Sequence, residues 1–162
     1  MLDFVRDRWC DQGNRLARGG RGADRGAHRG AMMANIQFFK GPGSGTPLFN
    51  LGRGKFYEGA GVGKPLCNIS GTTVFQGAGT GTPILNVRGG KAYEGAGSSN
   101  VLYTIDGDRV YEGPGTSKVL FNASGSKLYR GPGSSDVACN WSGGRLSATE
   151  LAAVVWLMEH PY

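Results

Sequence analysis

An 18-residue unit repeats six times without a gap, and few folds accommodate it. The copies begin at Phe38, Phe56, Val74, Ala92, Val110 and Leu128, and the clearest, Val110 to Lys127, reads VYEGPGTSKVLFNASGSK. Positions four and six are Gly in every copy, from Gly41 and Gly43 to Gly131 and Gly133. Position two is always aromatic: Phe39, Tyr57, Phe75, Tyr93, Tyr111, Tyr129. Position thirteen is Asn50, Asn68, Asn86, Asn122 and Asn140, with Thr104 in the fourth copy. A fixed period of this size makes each unit one supersecondary element that buries its apolar face against its neighbours.

Each unit divides into two strands and two turns. Positions ten to fourteen read PLFNL, PLCNI, PILNV, VLYTI, VLFNA and VACNW, apolar and β-branched runs of ordinary strand length. A Gly-centred turn follows, then a basic residue and an apolar–aromatic pair that form the second strand. The GPG or GAG segment is the second turn, and Pro42, Pro114 and Pro132 stand where no ladder donor is needed. The expected fold is all-β, a six-unit array. Two arrangements fit. An open array is a solenoid or stacked hairpins with strands ~4.8 Å apart. The alternative is a closed pseudo-symmetric barrel or trefoil-like ring, which removes edges. The aromatic column at position two and the Asn column at position thirteen read as ladders of stacked identical residues, which favours the open array. Positions twelve and fourteen vary oppositely in size in the last copies, Phe121 with Ala123 and Cys139 with Trp141, which places both in one packed interior.

After Arg145 the pattern gives way to LSATELAAVVWLMEHPY. Ser147 and Glu150 have capping-box spacing, and Leu146 with Leu151 makes the matching staple. Leu151, Val154, Val155 and Met158 form one apolar stripe, and Pro161 limits the end. The spacing predicts a helix from Ala148 to Glu159 that caps the last unit of the array. The chain thus divides into residues 1–33, a six-repeat β domain over 34–145 and a capping helix within 146–162.

Residues 1–33 have another composition. Met1 to Ala31 carries seven Arg, no Lys and four Asp. Without helical or strand periodicity it reads as disordered. Met33-Ala34 directly precedes the first repeat, so the segment also reads as a misassigned start. Arg/Gly tracts of this kind also bind RNA. The whole chain has net charge +6 and pI ≈ 9.5, which admits an anionic polymer such as a glycan or nucleic acid, or a protein, as partner. No apolar run approaches the ~20 residues of a membrane helix, and no signal peptide follows Met1 or Met33; the cytoplasm is the default location. Cys67 and Cys139 share position twelve with Phe, Leu and Tyr, so they read as core filler. In an open stack they lie about 19 Å apart, beyond the roughly 7 Å reach of a disulfide, and stay free.

Chemistry is sparse. GAGVGKP, Gly59 to Pro65, is no phosphate loop, because Glu58 and Pro65 stand where Gly and Ser or Thr are required. Asp106-Gly107-Asp108 is a turn equivalent to SGS. The two His, His28 and His160, lie outside the repeats. There is no nucleophile–base pair and no metal-ligand spacing. We therefore expect no catalytic residues, no metal and no cofactor; a hydrolase using Glu58 or Glu94 is the rival. One constellation stands out. Position eighteen is basic in five copies, and the aromatic residue two places on shares its strand face. This pairs Lys55 with Tyr57, Lys91 with Tyr93, Arg109 with Tyr111 and Lys127 with Tyr129. Stripes of cation and ring bind glycans or single-stranded nucleic acid. The expectation is a non-enzymatic binding or scaffold module, with nucleic-acid binding through the basic ladder and the Arg/Gly tail as the alternative.

Units like VYEGPGTSKVL closed by an S-x-x-E helix resemble small uncharacterised bacterial proteins built of 18-residue aromatic/Gly β repeats, from Phe38 to about Met158. That resemblance implies a repeat fold and no particular activity. The aromatic–Gly units are more distantly similar to MORN and choline-binding hairpin repeats; they are shorter and lack the tryptophans of a choline cage, so choline binding does not carry over.

Overall fold

The computed structural model describes residues 35–162. The Arg/Gly segment, the start at Met33 and Cys10 lie outside the described residues.

The repeats form twelve strands: β1 (Ile36–Lys40), β2 (Pro47–Gly52), β3 (Lys55–Glu58), β4 (Pro65–Ser70), β5 (Thr73–Gln76), β6 (Pro83–Arg88), β7 (Lys91–Glu94), β8 (Val101–Asp106), β9 (Arg109–Glu112), β10 (Val119–Ser124), β11 (Lys127–Arg130) and β12 (Val137–Ser142). Each pairs antiparallel with its sequence neighbours, and β1 pairs with β12, setting Gln37 opposite Ser142 and Phe38 opposite Trp141. The sheet is a closed barrel of six hairpins. The open array, solenoid or stacked, is therefore corrected in favour of the ring. An open stack leaves two edges with unpaired backbone groups, and closure pairs them.

The two ends of the barrel are built differently. At one end two-residue turns join the strands of a hairpin; Arg53 (φ 53°) and Gly54 (φ 73°) have the paired positive φ of a type I′ turn. At the other end longer loops open on the position-four Gly, whose φ lies between 61° and 71° in all six copies. That conformation explains its invariance. Beside each loop a β-bulge breaks the register, as between Phe38 and Phe39. Bulges favour barrel rims, and here Leu48, Leu66, Ile84, Leu102 and Leu120 pack against the core beside them.

The Asn column is a set of clasps, which corrects the ladder reading. Asn50 donates its amide to the carbonyls of Gly59 (2.9 Å) and Gly61 (2.6 Å) in the next copy. Asn68, Asn86 and Asn122 make the equivalent reach to Gly79, Gly97 and Gly133. Asn140 of the last copy reaches Gly41 (2.7 Å) and Gly43 (2.6 Å) of the first, so the same bond closes the ring. Thr104 is shorter and bonds only the Gly113 carbonyl, at 2.8 Å.

Positions one, twelve and fourteen face inward and make a single core, as the size compensation at twelve and fourteen implies. Twelve strands at ~4.8 Å give a perimeter of about 58 Å, wider than the eight-strand barrel that side chains alone can fill. The helix α1 (Ala148–Glu159) fills the remainder. Leu151 to Val155 are buried without interruption, as is Leu157. A helix covered on all sides lies inside its host, so α1 is a core element of the whole ring and not the cap of a last unit. It runs closest to β5, β6 and β8, where Val74 and Ala92 leave space. Phe38, Phe49, Phe56 and Trp141 fill the other side, with ring centroids 4.8 to 6.1 Å apart. Gly143 (φ 127°) lets the chain turn inward from β12; a Cβ there would sit 3.0 Å from Ile36 Cγ1. The capping box forms as expected, with Glu150 N–H donating to Ser147 Oγ (3.2 Å) and Ser147 N–H to Glu150 Oε2 (2.7 Å).

Cys67 and Cys139 are buried and free. Burial pushes both thiols up to about 12, against small opposing effects from a Phe56 backbone hydrogen bond and the Arg130 charge. They lie two copies apart around the ring, so free thiols do not separate an open from a closed array.

Candidate binding surfaces: a basic end and an acidic mouth

Among the described residues, charge is divided along the barrel axis. At the two-residue-turn end stand Arg53, Lys55, Arg88, Lys91, Arg109, Lys127 and Arg145, opposed by Asp106, Asp108 and Glu150. At the loop end Lys40, Lys64, Lys118 and Arg130 meet five carboxylates, Glu58, Glu94, Glu112, Asp136 and Glu159. The division follows from the repeat: position eighteen opens a strand at the turn end, and position three closes it at the loop end.

The cation–aromatic pairs lie on the outer wall of β3, β7, β9 and β11, since position one on the same strands is fully buried inside. Lys55 and Lys91 are half-buried, and Arg109 and Lys127 are exposed. Tyr57, Tyr93 and Tyr129 are half-buried, but Tyr111 is only 7 % exposed. Three of the four rings thus keep an open part, and Tyr111 serves packing. Each ring sits opposite the position-thirteen residue of the preceding copy, as Tyr57 does opposite Asn50.

The opposite end opens into a mouth. Position three shares the inward face of position one, so Gln76, Glu94 and Glu112 line it together with the bulge residues Ile84, Leu102 and Leu120. The end of α1 supplies Trp156, Glu159 and His160. Tyr103 O–H donates to Glu159 Oε2 at 2.5 Å. Burial first, then that bond and the carboxylate charge, raise the Tyr103 phenol above its ordinary range. Trp156 and His160 stack with centroids 4.6 Å apart and planes at 15°. Across the rim Tyr162 O–H donates to the Leu48 carbonyl at 3.0 Å. Its phenol is also raised, by burial and then by Glu58.

The sixfold hairpin barrel has a counterpart among known families. The family model for the 6-fold beta flower protein matches residues 39–150. The chain belongs to that family. No curated protein and no solved structure matches it. The beta flower match supports the sixfold repeat and not the likeness to MORN or choline-binding hairpins.

In this beta flower chain the eight residues of the cation–aromatic stripe share one outer belt, but they do not converge on a cleft. Glu58 and Glu94 stand apart on β3 and β7. Among the described residues no group of three His, Cys, Asp or Glu is placed to hold a metal. The mouth residues Tyr103, Glu112, Trp156, Glu159 and His160 were not legible as a site. Position twelve and the helix read as core, and the signal lay in the one polar ring among position-twelve residues, Tyr103, together with the clustering of Glu at position three.

Proposed function

We propose that this protein is a non-enzymatic binding module that presents its basic turn end and the adjoining aromatic belt to an anionic polymer. The observation that carries this reading is the gathering, among the described residues, of seven cations at one end, where Lys55, Lys91 and Lys127 adjoin the partly open rings of Tyr57, Tyr93 and Tyr129. Cations spaced around a rim meet successive charges of a polymer, and the rings add stacking against sugars or bases. The carboxylates serve as loop and rim residues in this reading: Glu94 accepts from Asn100, and Glu112 pairs with Lys118.

The test is fluorescence anisotropy of the full chain with a labelled sulfated glycan and, separately, a labelled single-stranded oligonucleotide. Replacing Lys55, Lys91, Arg109 and Lys127 together by Ala is expected to weaken binding at least tenfold and to flatten its salt dependence. Glu94→Gln is expected to change neither. Unchanged binding by the fourfold variant would overturn the reading, and preference for one polymer would identify its class.

A further inference from the structure

The mouth holds a half-open cavity of about 630 Å³, a volume suited to a small organic molecule, and the mouths of β-barrels commonly hold such sites. Its wall is apolar where Ile84, Leu102, Leu120 and Trp156 meet. Its charged lining has one dominant sign: Glu94, Glu112 and Glu159 line it, and among the described residues neither Lys nor Arg does. The negative end of the α1 dipole points the same way; the last turn carries no Lys or Arg, and the C-cap His160 engages one of its carbonyls, that of Trp156, through Nδ1 at 3.0 Å.

The carboxylates are also held in place. Tyr103 fixes Glu159, Asn100 Nδ2 donates to Glu94 at 2.5 Å, and Lys118 braces Glu112. Lys118 lies on the solvent side and leaves the cavity lined by the acid alone. Held acceptors lose little freedom when a donor arrives, which favours binding. The Trp156–His160 stack adds an aromatic surface, and aromatic faces attract cations. An anionic ligand would meet two carboxylates without a cationic partner among the described residues, Glu94 and Glu159, beside the Lys118-paired Glu112. A bare metal ion would find no grouped ligand set among the described residues.

We propose that this cavity binds a small organic cation, an ammonium or guanidinium carried on an apolar body of about one aromatic ring. The apolar body lies against Leu102, Ile84 and Trp156, and the charged head faces Glu159 and Glu94. The site is separate from the basic turn end, and its existence does not depend on polymer binding there.

Calorimetric titration of the full chain at neutral pH tests this with three probes of similar shape: 2-phenylethylammonium, neutral 2-phenylethanol and anionic 3-phenylpropionate. The ammonium is expected to bind at least tenfold more tightly than the alcohol, and the acid not to bind. Glu159→Gln keeps an acceptor for Tyr103 and is expected to weaken the ammonium at least fivefold. Glu94→Gln, on the rim, gives the same direction without touching α1. The Lys55→Ala/Lys127→Ala variant is expected to bind the ammonium as the parent does, which keeps this test distinct from the polymer test. Equal binding of the three probes, no binding of the ammonium, or unchanged affinity in Glu94→Gln would overturn the proposal.

Discussion

The outside and the inside of this barrel obey different rules. Around the outside, position thirteen is Asn in five copies and Thr in one, and position two is always aromatic. Inside, position one runs Phe, Phe, Val, Ala, Val, Leu, and position twelve runs Phe, Cys, Leu, Tyr, Phe, Cys. The outer constancy has a local cause, because each Asn answers the same loop carbonyls of the next copy. The inner variety has a global cause. One helix fills the lumen, a single helix has no sixfold symmetry, and the wall compensates by changing side-chain size around it. Repetition in a sequence therefore reports what each unit does for its neighbour, and departures from it report what the ring encloses.

The comparison breaks most completely at the helix. Val154 is fully buried, so Val154→Asp is expected to cost about 4 kcal/mol or more and to unfold the barrel in urea titrations. Ala148→Asp, at the exposed first turn, is expected to stay within about 0.5 kcal/mol of the parent. The inner asymmetry sharpens with a pair of opposite changes. Phe56→Ala removes a ring from the filled side and is expected to cost about 3–5 kcal/mol. Ala92→Phe overfills the side nearer the helix and is expected to cost about 1–3 kcal/mol. If the lumen were symmetric, enlarging position one would cost the same in every copy.

The outer clasps are alike in sequence but not in burial. Asn50 is fully buried and makes two loop bonds, whereas Asn68 is half-buried and makes one. Asn50→Ala is expected to cost about 1–3 kcal/mol and Asn68→Ala less than about 1. Equal losses would mean that the clasp acts through something other than satisfaction of buried groups. The smallest effect concerns the two thiols. Their folded values are raised to about 12 from 9.0, so the folded state holds its protons more tightly. Stability is then whole below pH 9 and falls as pH rises from 9 toward 12, by about 1 kcal/mol per thiol at pH 10. Replacing both by Ala is expected to remove that part of the alkaline slope, read by urea titration at pH 8 and pH 10.

Much of this fold was legible. The strand runs, the Gly-centred turns and the extent of the helix follow from local chemistry, and Ser147 with Glu150 marked the start of α1 to the residue. Closure did not follow. The Asn140 clasp to Gly41 joins residues 99 apart, and no local pattern distinguishes it from the other four Asn clasps. The helix's place inside the ring also escaped, because Ala152 and Ala153 look neutral on a helical wheel; their burial becomes meaningful only when a wall surrounds them. For the sites, the outer stripe followed from strand alternation. The mouth did not, because it is assembled by bulges that turn position eleven inward and by a helix end delivered from the opposite side of the ring.

Closure of the ring is the claim on which the inside–outside comparison rests, and a cross-link across the β1–β12 seam tests it most directly. Gln37 and Ser142 are directly opposed there, at the spacing of roughly 5 Å that a disulfide spans. In the Gln37→Cys/Ser142→Cys protein, with Cys10 replaced by Ser and the two buried thiols left in place, mild oxidation is expected to give a single intramolecular bridge. Circular dichroism and the chemical-shift pattern should be unchanged, and stability raised. Failure to bridge, or bridges only between molecules under the same conditions, would contradict the closed barrel.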